Sequence, residues 1–326
     1  MARPLVLACS ATDRTLPLIL GDVRPAGIDL TFLRMPPEEV FWRMTRHAEF
    51  DAAEMSMSSY LVRRSRGDDG LVAIPVFPSR QFRHSCVFVR ASADIHSPAD
   101  LKGARVGVAE YQITAAVWIR GFLADDFGVK PTDMRWYQGG MYQRGRPEKL
   151  HISIPGLSLQ AIGPEQTLSD MLLAGDLDAI IGARAPAGFP GPGVRRLFPD
   201  FRSVEADYAR RTGVFPIMHT IVIRRELLDQ SQWIARSLYD AFCESRRLAM
   251  ANLSEHVTLS TMLPWQIAEV EFTQALMGED FWPYGVEPNR TTLETLMRYS
   301  CEQGLAERSL AIESLFAPTT LDDFRI

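Results

Sequence analysis

Residues 100–109, Asp-Leu-Lys-Gly-Ala-Arg-Val-Gly-Val-Ala, hold a short capped turn and then an apolar run from residue 105 onward that is typical of a β-strand. The chain after it continues this pattern, with a helix predicted over 114–127, a second helix over 167–174 and a buried strand over 178–182. Strands that alternate with helices in this way predict an α/β fold with a mostly parallel sheet.

The N-terminal region repeats the alternation, and the C-terminal region is mainly helical. Short apolar runs predict strands at 5–8, 29–33 and 215–225, and helical spacing predicts helices at 16–20, 38–47 and 233–252. Thr291 and Glu294 have the spacing of a capping box at the start of a final helix. The simplest assembly places residues 1–92 and 216–326 in one lobe and inserts 93–215 as the other. Two crossing strands, near 84–90 and 219–224, would then form the hinge.

The composition indicates which classes of partner the protein can bind and in which cellular compartment it is expected. The chain has 326 residues, enough for about two domains, and its 35 basic and 40 acidic residues give a net charge of −5 with no basic cluster that would indicate nucleic-acid binding. The four cysteines, at 9, 86, 243 and 301, have no metal-site spacing and are expected to be free thiols in a reducing compartment. The first apolar run is too short for a secretory signal, and no run is long enough to span a membrane. We therefore expect a cytoplasmic protein with a small-molecule partner.

A two-lobe α/β chain with a discontinuous first lobe resembles the type II solute-binding-protein fold, in which ligand occupies a cleft between the lobes. The stretches that carry this likeness are residues 100–109, the helix start at Thr114 and residues 173–181. Such a resemblance concerns the fold and leaves the function open.

More specific stretches resemble the 4,5-dihydroxyphthalate decarboxylase family. These stretches span both predicted lobes, and the most specific is the run Ser-Arg-Gln-Phe-Arg-His at 79–84. The full set is residues 13–15, 50–60, 75–84, 110–121, 215–219, 282–285 and 303–305. The resemblance implies a cytoplasmic, homo-oligomeric carboxy-lyase that converts a dihydroxyphthalate to 3,4-dihydroxybenzoate and carbon dioxide. It also implies catalysis without an organic cofactor, and the sequence contains no flavin or nucleotide fingerprint.

Carboxylate-binding groups are predicted at two kinds of place. Arg80 and Arg83 lie on a loop that leads into a proposed hinge strand, where planar guanidinium groups could hold the phthalate carboxylate that stays on the ring. The same sequence pattern would also fit two arginines that are exposed on a surface loop and bind no ligand. Other candidates lie where helix N-termini offer free amide donors in each lobe, namely Asp13, Arg14, Gln112 and Thr114.

Acid–base candidates are His84 and His219, which fall on the two proposed hinge strands and could face each other across the cleft. Each histidine alone would as readily be a packed core residue. Glu54, with Ser56 and Tyr60 after it, follows an apolar strand and would place a carboxylate and hydroxyls at the carboxyl edge of the sheet. The two histidines and Glu54 would also suit a divalent metal, so that question stays open at this point.

Some residues within the matching stretches are predicted to have other roles. Trp118, Trp282 and Tyr284 are expected to pack in the core, and Arg120 to serve as scaffold or oligomer contact.

Two other functions remain possible from the sequence. One is a non-catalytic solute-binding or sensing protein for an aromatic carboxylate, and the other is an enzyme of this fold in pyrimidine or menaquinone precursor synthesis.

Overall fold

A computed structural model describes residues 2–146, 152 and 154–321 of the chain. The chain forms two compact units, one built from Met1–Arg80, Thr212–Glu294 and Leu310–Ile326 and the other from Gln81–Arg211 and Thr295–Ser309. Both units are α/β, which confirms the predicted fold class. The sequence-based division had placed residues 81–92 in the first lobe and 295–309 outside the second, whereas the structure assigns both segments to the second unit.

The elements follow one another in an alternating βα order. The first unit opens with β1 (Arg3–Cys9), α1 (Leu16–Leu20), β2 (Ile28–Arg34), α2 (Pro37–His47), β3 (Ala52–Ser56), α3 (Met57–Ser65) and β4 (Leu71–Arg80). The second unit continues with β5 (Val87–Arg90), β6 (Arg105–Val108), α4 (Thr114–Phe127), β7 (Arg135–Gln138), β8 (Leu159–Ala161), α5 (Leu168–Ala174), β9 (Ala179–Ile181), β10 (Val194–Arg196) and α6 (Phe201–Thr212). The chain then returns through β11 (Ile217–Arg224), α7 (Arg225–Gln230), α8 (Trp233–Leu253), α9 (Gln266–Met277) and α10 (Arg290–Glu302), the last of which ends in the second unit.

The first unit's sheet has the strand order β2-β1-β3-β11-β4. Strands β1, β2 and β3 are parallel, and β11 runs antiparallel between β3 and β4. In this register His219, near the start of β11, lies opposite Ser56 at the end of β3 and Ser79 near the end of β4. The ends of β1, β3 and β4 and the start of β11 therefore meet at one edge of the sheet.

The second unit's sheet has the order β10-β5-β9-β6-β7-β8. Its strands β9, β6, β7 and β8 pair in parallel in that order, whereas β5 is antiparallel to both β9 and β10. Helix α4 is buried along most of its length, as its apolar run from Ala115 to Ile119 predicts.

Several predicted elements coincide with the observed ones. The helix expected over 114–127 is α4, and the helix expected over 167–174 is α5, which ends at Gly175 in the left-handed conformation (φ 88°) that glycine adopts without strain. The capping-box prediction was wrong, because α10 begins at Arg290 and Thr291 already lies inside it. The strands expected at the hinge belong to separate sheets, β5 to the second and β11 to the first.

Candidate active site

The edge of the first sheet joins a buried carboxylate to a histidine. Glu54 lies on β3 and is fully buried, and its Oε1 is 2.6 Å from Nδ1 of His219 on β11. The two side chains come together because residue 54 pairs with Ile221, two positions further along β11 than His219, on the same face of the sheet. The sequence predicted both residues, and the structure places them in direct contact.

The Glu54 carboxylate is held in its ionised form. Its Oε2 accepts hydrogen bonds from the backbone N–H of Ser10 at 2.8 Å and the Ser10 hydroxyl at 2.6 Å, and the Cys9 thiol lies 3.4 Å away. Burial by itself would raise the pKa of Glu54, but the hydrogen bond and charge of His219 and the two Ser10 donors outweigh burial and lower it to about 2. Burial, together with the Glu54 charge, raises the pKa of Cys9 well above its usual value, so the thiol stays neutral.

His219 contacts Glu54 through one of its two ring nitrogens. Its Nδ1 is engaged by Glu54, its ring meets the Phe41 ring edge-on with centroids 4.8 Å apart, and its side chain is 19% exposed. A carboxylate at Nδ1 orients the imidazole and fixes its tautomer, so Nε2 is the ring nitrogen that Glu54 does not engage. Ser10 and Phe41 were missed by the sequence reasoning, and the one available signal was that Ser10 directly follows a strand.

A partly exposed arginine lies at the same edge. The Nε of Arg14 donates to the carbonyl of Pro78 at 2.6 Å, and Pro78 precedes Ser79, the residue opposite His219. The guanidinium also pairs with Asp13 at 2.7 Å and lies 4.3 Å from the ring centroid of Trp282. The loop after β1 therefore brings a cation to the end of β4, the strand that pairs with β11.

Arg80, which the sequence predicts to bind a carboxylate, has hydrogen-bond partners within the first unit. Its side chain is buried, with Nη2 donating to the Phe215 carbonyl at 2.7 Å and Nη1 to the Asn289 side chain at 2.7 Å and the Pro283 carbonyl at 3.3 Å. Burial lowers its pKa to about 9. These contacts hold loops of the first unit together, which is a structural use of the guanidinium.

Ser56 and Tyr60 also have local partners. The Ser56 hydroxyl caps α3 by accepting from the Ser59 backbone N–H, and Ser56 lies beside His219 in the sheet. The Tyr60 hydroxyl is buried, donates to the Leu315 carbonyl and accepts from the Ala73 backbone N–H at 3.1 Å. Tyr60 thus fixes α3 against its own unit.

His84 belongs to the second unit and does not lie on a strand, so its predicted position on a hinge strand was wrong. It begins a short 3-10 helix, His84–Cys86, and its ring stacks on Phe122 with centroids 3.9 Å apart. Its Nδ1 is 4.0 Å from Glu205, and within the described part of the chain neither ring nitrogen has a hydrogen-bond partner. Burial lowers its pKa to about 4, so the ring is neutral near pH 7. Packing among aromatic rings explains this position.

The other predicted contacts lie in the second unit. Gln112 is buried and donates to Glu110 at 2.7 Å, and Arg146, which the sequence reasoning missed, pairs with the same carboxylate at 3.0 Å. Thr114 is the first residue of α4, one position after the N-cap. Arg83 is buried, with Nη1 3.7 Å from the Cys86 sulfur. Contact of Arg83, Gln112 and Thr114 with a ligand stays a prediction.

Two kinds of feature are absent from the described residues. No group of three or more His, Cys, Asp or Glu side chains there is arranged to hold a metal ion. No helix in the same residues is long and apolar enough to cross a membrane.

Comparison with curated proteins decides the family. The chain is 41% identical over 325 residues to a 4,5-dihydroxyphthalate decarboxylase of Comamonas testosteroni, covering 99% of this chain and 98% of that protein. The chain belongs to the 4,5-dihydroxyphthalate decarboxylase family. A second protein of that name, from Pseudomonas putida, is 45% identical over 209 residues, or 63% of this chain and 81% of the other. No family model matches the chain.

The fold of this chain is also similar to that of solved binding proteins. The periplasmic aliphatic sulphonate binding protein SsuA of Escherichia coli superposes with a TM-score of 0.55 at 14% identity, over 98% of this chain and 99% of SsuA. The ligand-binding component of an ABC-type import system from Staphylococcus aureus gives a TM-score of 0.51 at 10% identity, over 98% of each chain. At these identities the likeness shows the fold alone, and it confirms the periplasmic-binding-protein-like fold predicted from the sequence.

Proposed function

We propose that this protein decarboxylates 4,5-dihydroxyphthalate to 3,4-dihydroxybenzoate and carbon dioxide. Family membership supports the substrate and the reaction. The observation that carries the mechanism is the contact between ionised Glu54 and Nδ1 of His219, at a sheet edge that also holds Arg14.

The reaction exchanges a carboxylate for a proton on a ring carbon. In 4,5-dihydroxyphthalate each carboxylate is para to a hydroxyl group. That hydroxyl can donate electron density through the ring to the carbon that bears the carboxylate. His219 delivers the proton from Nε2 to that carbon, and the bond to the carboxylate then breaks as carbon dioxide leaves. The electron pair of the broken bond returns to the ring and restores its aromaticity, and His219 regains a proton from solvent.

Glu54 acts as a positioning residue in this scheme. Its carboxylate orients the imidazole through Nδ1 and stabilises the charged ring before proton transfer. Ser10 holds the other carboxylate oxygen with two donors, so Glu54 cannot turn away from His219. The apolar edge of Phe41 beside the imidazole favours loss of a charged carboxylate as neutral carbon dioxide.

Arg14 is assigned to the carboxylate that stays on the ring. A cation on the departing carboxylate would stabilise the ground state and slow the reaction, so the guanidinium serves catalysis when it holds the other group. Of the predicted arginines in the first unit, Arg14 is the more exposed and Arg80 is committed to loop contacts. This assignment moves the sequence-based role of Arg80 to Arg14.

We place the protein in the cytoplasm as a homo-oligomer. All four cysteines are free in the structure, as expected in a reducing compartment.

The test of the proposed function is product formation. Purified, chelator-treated protein is incubated with 4,5-dihydroxyphthalate, and 3,4-dihydroxybenzoate and carbon dioxide are followed by chromatography and gas release in equal amounts. The same assay with added divalent metal measures any metal requirement. Absence of product in both, with the ligand still bound by calorimetry, would instead favour a non-catalytic protein that binds an aromatic carboxylate.

A further inference from the structure

One surface of the first unit exposes large apolar side chains on a segment that is held in place. The segment runs from the end of α8 through α9, and we call it the α9 surface. Its exposed large side chains are Val257 (91%), Leu259 (39%), Met262 (103%), Leu263 (49%), Trp265 (72%) and Phe272 (38%). No other described stretch of comparable length carries as many exposed large apolar residues.

The exposure is built into the local structure. Gln266, the first residue of α9, is buried, and its Oε1 accepts from the Thr261 backbone N–H at 2.9 Å and from the Ser260 hydroxyl at 3.2 Å. Its Nε2 donates to the Leu253 carbonyl at 3.0 Å. One buried amide therefore ties the loop before α9 to both helices, and Met262 and Trp265 project from a fixed backbone.

Helix α9 is itself poorly covered by its own chain. Of its 12 residues Gln266 alone is buried, although the helix contains Ile267, Val270, Phe272 and Leu276. Ala268, Phe272 and Ala275 are exposed at i, i+4 and i+7, so they share one helix face on which small residues flank an aromatic ring. Apolar side chains occur on several sides of α9 among its polar ones, and a helix of this composition is normally covered on its apolar faces, which indicates that another molecule covers this one.

Charge and area select the occupant. Residues 254–278 contain Glu255, Glu269 and Glu271 and neither lysine nor arginine, so the surface does not attract nucleic acid or anionic lipid. An aromatic side chain buries roughly 150–250 Å². Six large apolar side chains with exposed fractions between 38% and 103% together expose an area on the order of the ~800 Å² per partner of a standard interface. That area suits a folded protein surface of the same size and character.

We infer that the α9 surface binds the α9 surface of a second copy of this chain. A two-fold axis pairs the same patch on both copies, and it lets Phe272 pack against the facing helix between the alanines. The negative side chains then lie at the rim, where water screens them. This assigns an interface to the proposed homo-oligomer and does not depend on the catalytic proposal.

The test is the solution mass of single variants of the full chain. Met262→Glu and Trp265→Glu place a charge in the α9 surface, and Leu20→Glu is the matched control, because Leu20 is a 66% exposed apolar residue on α1. By sedimentation equilibrium the wild type and Leu20→Glu are expected to have twice the 36.6 kDa chain mass at micromolar concentration. The two patch variants are expected to dissociate at least tenfold more readily, with unchanged circular dichroism.

Two results would overturn the inference. One is a wild-type protein that stays at the mass of a single chain up to tens of micromolar, which would leave the surface for a different protein. The other is an oligomer whose dissociation constant is the same in Trp265→Glu, Met262→Glu and Leu20→Glu. Decarboxylation measured on the same samples keeps the two proposals separate, since an active monomer contradicts the interface and not the reaction.

Discussion

Replacing Glu54 by glutamine removes the charge that faces His219 and keeps the shape of the side chain. The surroundings lower the pKa of Glu54 from 4.5 to about 2. At ~1.36 kcal/mol per pKa unit, (4.5 − 2) × 1.36 gives about 3 kcal/mol in favour of the ionised carboxylate. His219 and the two Ser10 donors share this stabilisation, and Glu54→Gln removes the anion that orients the imidazole. A glutamine amide also directs a donor at either His219 or Ser10, each of which already donates to this position.

We expect kcat to fall about 100-fold, since ~1.4 kcal/mol corresponds to a factor of ten and part of the 3 kcal/mol is recovered by reorientation. KM should change less than about threefold, because Glu54 is buried and does not touch the substrate in this scheme. The assay is steady-state release of carbon dioxide from 4,5-dihydroxyphthalate at pH 7. Glu49→Gln is the matched control, because Glu49 is an exposed carboxylate paired with Arg43. A Glu54→Gln enzyme with wild-type kcat, or one altered in KM alone, would refute the reasoning.

Three further outcomes are expected. His84→Phe should keep kcat within about threefold. Because the pKa of His84 in the folded protein, about 4, lies below the usual 6.5, the wild type loses stability as the pH falls from 6.5 to 4. In urea unfolding the wild type should therefore lose about 2 kcal/mol between pH 7 and 4.5 that His84→Phe does not lose, and equal losses in both proteins would contradict this. Trp282→Leu should raise KM about fivefold with little change in kcat, while Trp282→Phe keeps most of the cation–π contact with Arg14; a kcat effect alone would argue against it. Arg80→Met should lower the free energy of unfolding by about 2–3 kcal/mol, because buried acceptors at Phe215 and Asn289 lose their donor. A raised KM without loss of stability would instead support a role of Arg80 in substrate binding.

Local patterns in the sequence predicted those elements whose ends are marked by residue type. Helix α5 could be bounded because Gly175 adopts a left-handed conformation that ends a helix. The capping pattern at Thr291 failed because a 3-10 turn, Glu287–Asn289, runs directly into α10 and starts the helix earlier. Sequence spacing alone does not distinguish a cap from a first turn that continues an existing helix.

The candidate site was half predictable. Glu54 and His219 could be proposed because each follows or begins an apolar strand at a sheet edge, but their contact depends on β11 inserting between β3 and β4, which pairs residues more than 160 positions apart. His84 has the same local pattern as His219 and a different fate, because Phe122 and its aromatic neighbours enclose it. Ser10 gave no signal beyond its place after β1, since its role depends on where the Glu54 carboxylate lies.

The most direct test of the account compares wild type with His219→Ala in a single turnover. Substrate is mixed with excess chelator-treated enzyme, binding is measured by calorimetry, and 3,4-dihydroxybenzoate is quantified over time. The account predicts that His219→Ala is folded, binds 4,5-dihydroxyphthalate within about tenfold of wild type and forms product at least 1,000-fold more slowly, as expected when a proton donor is removed. Product formation by His219→Ala at the wild-type rate would contradict proton delivery by this histidine.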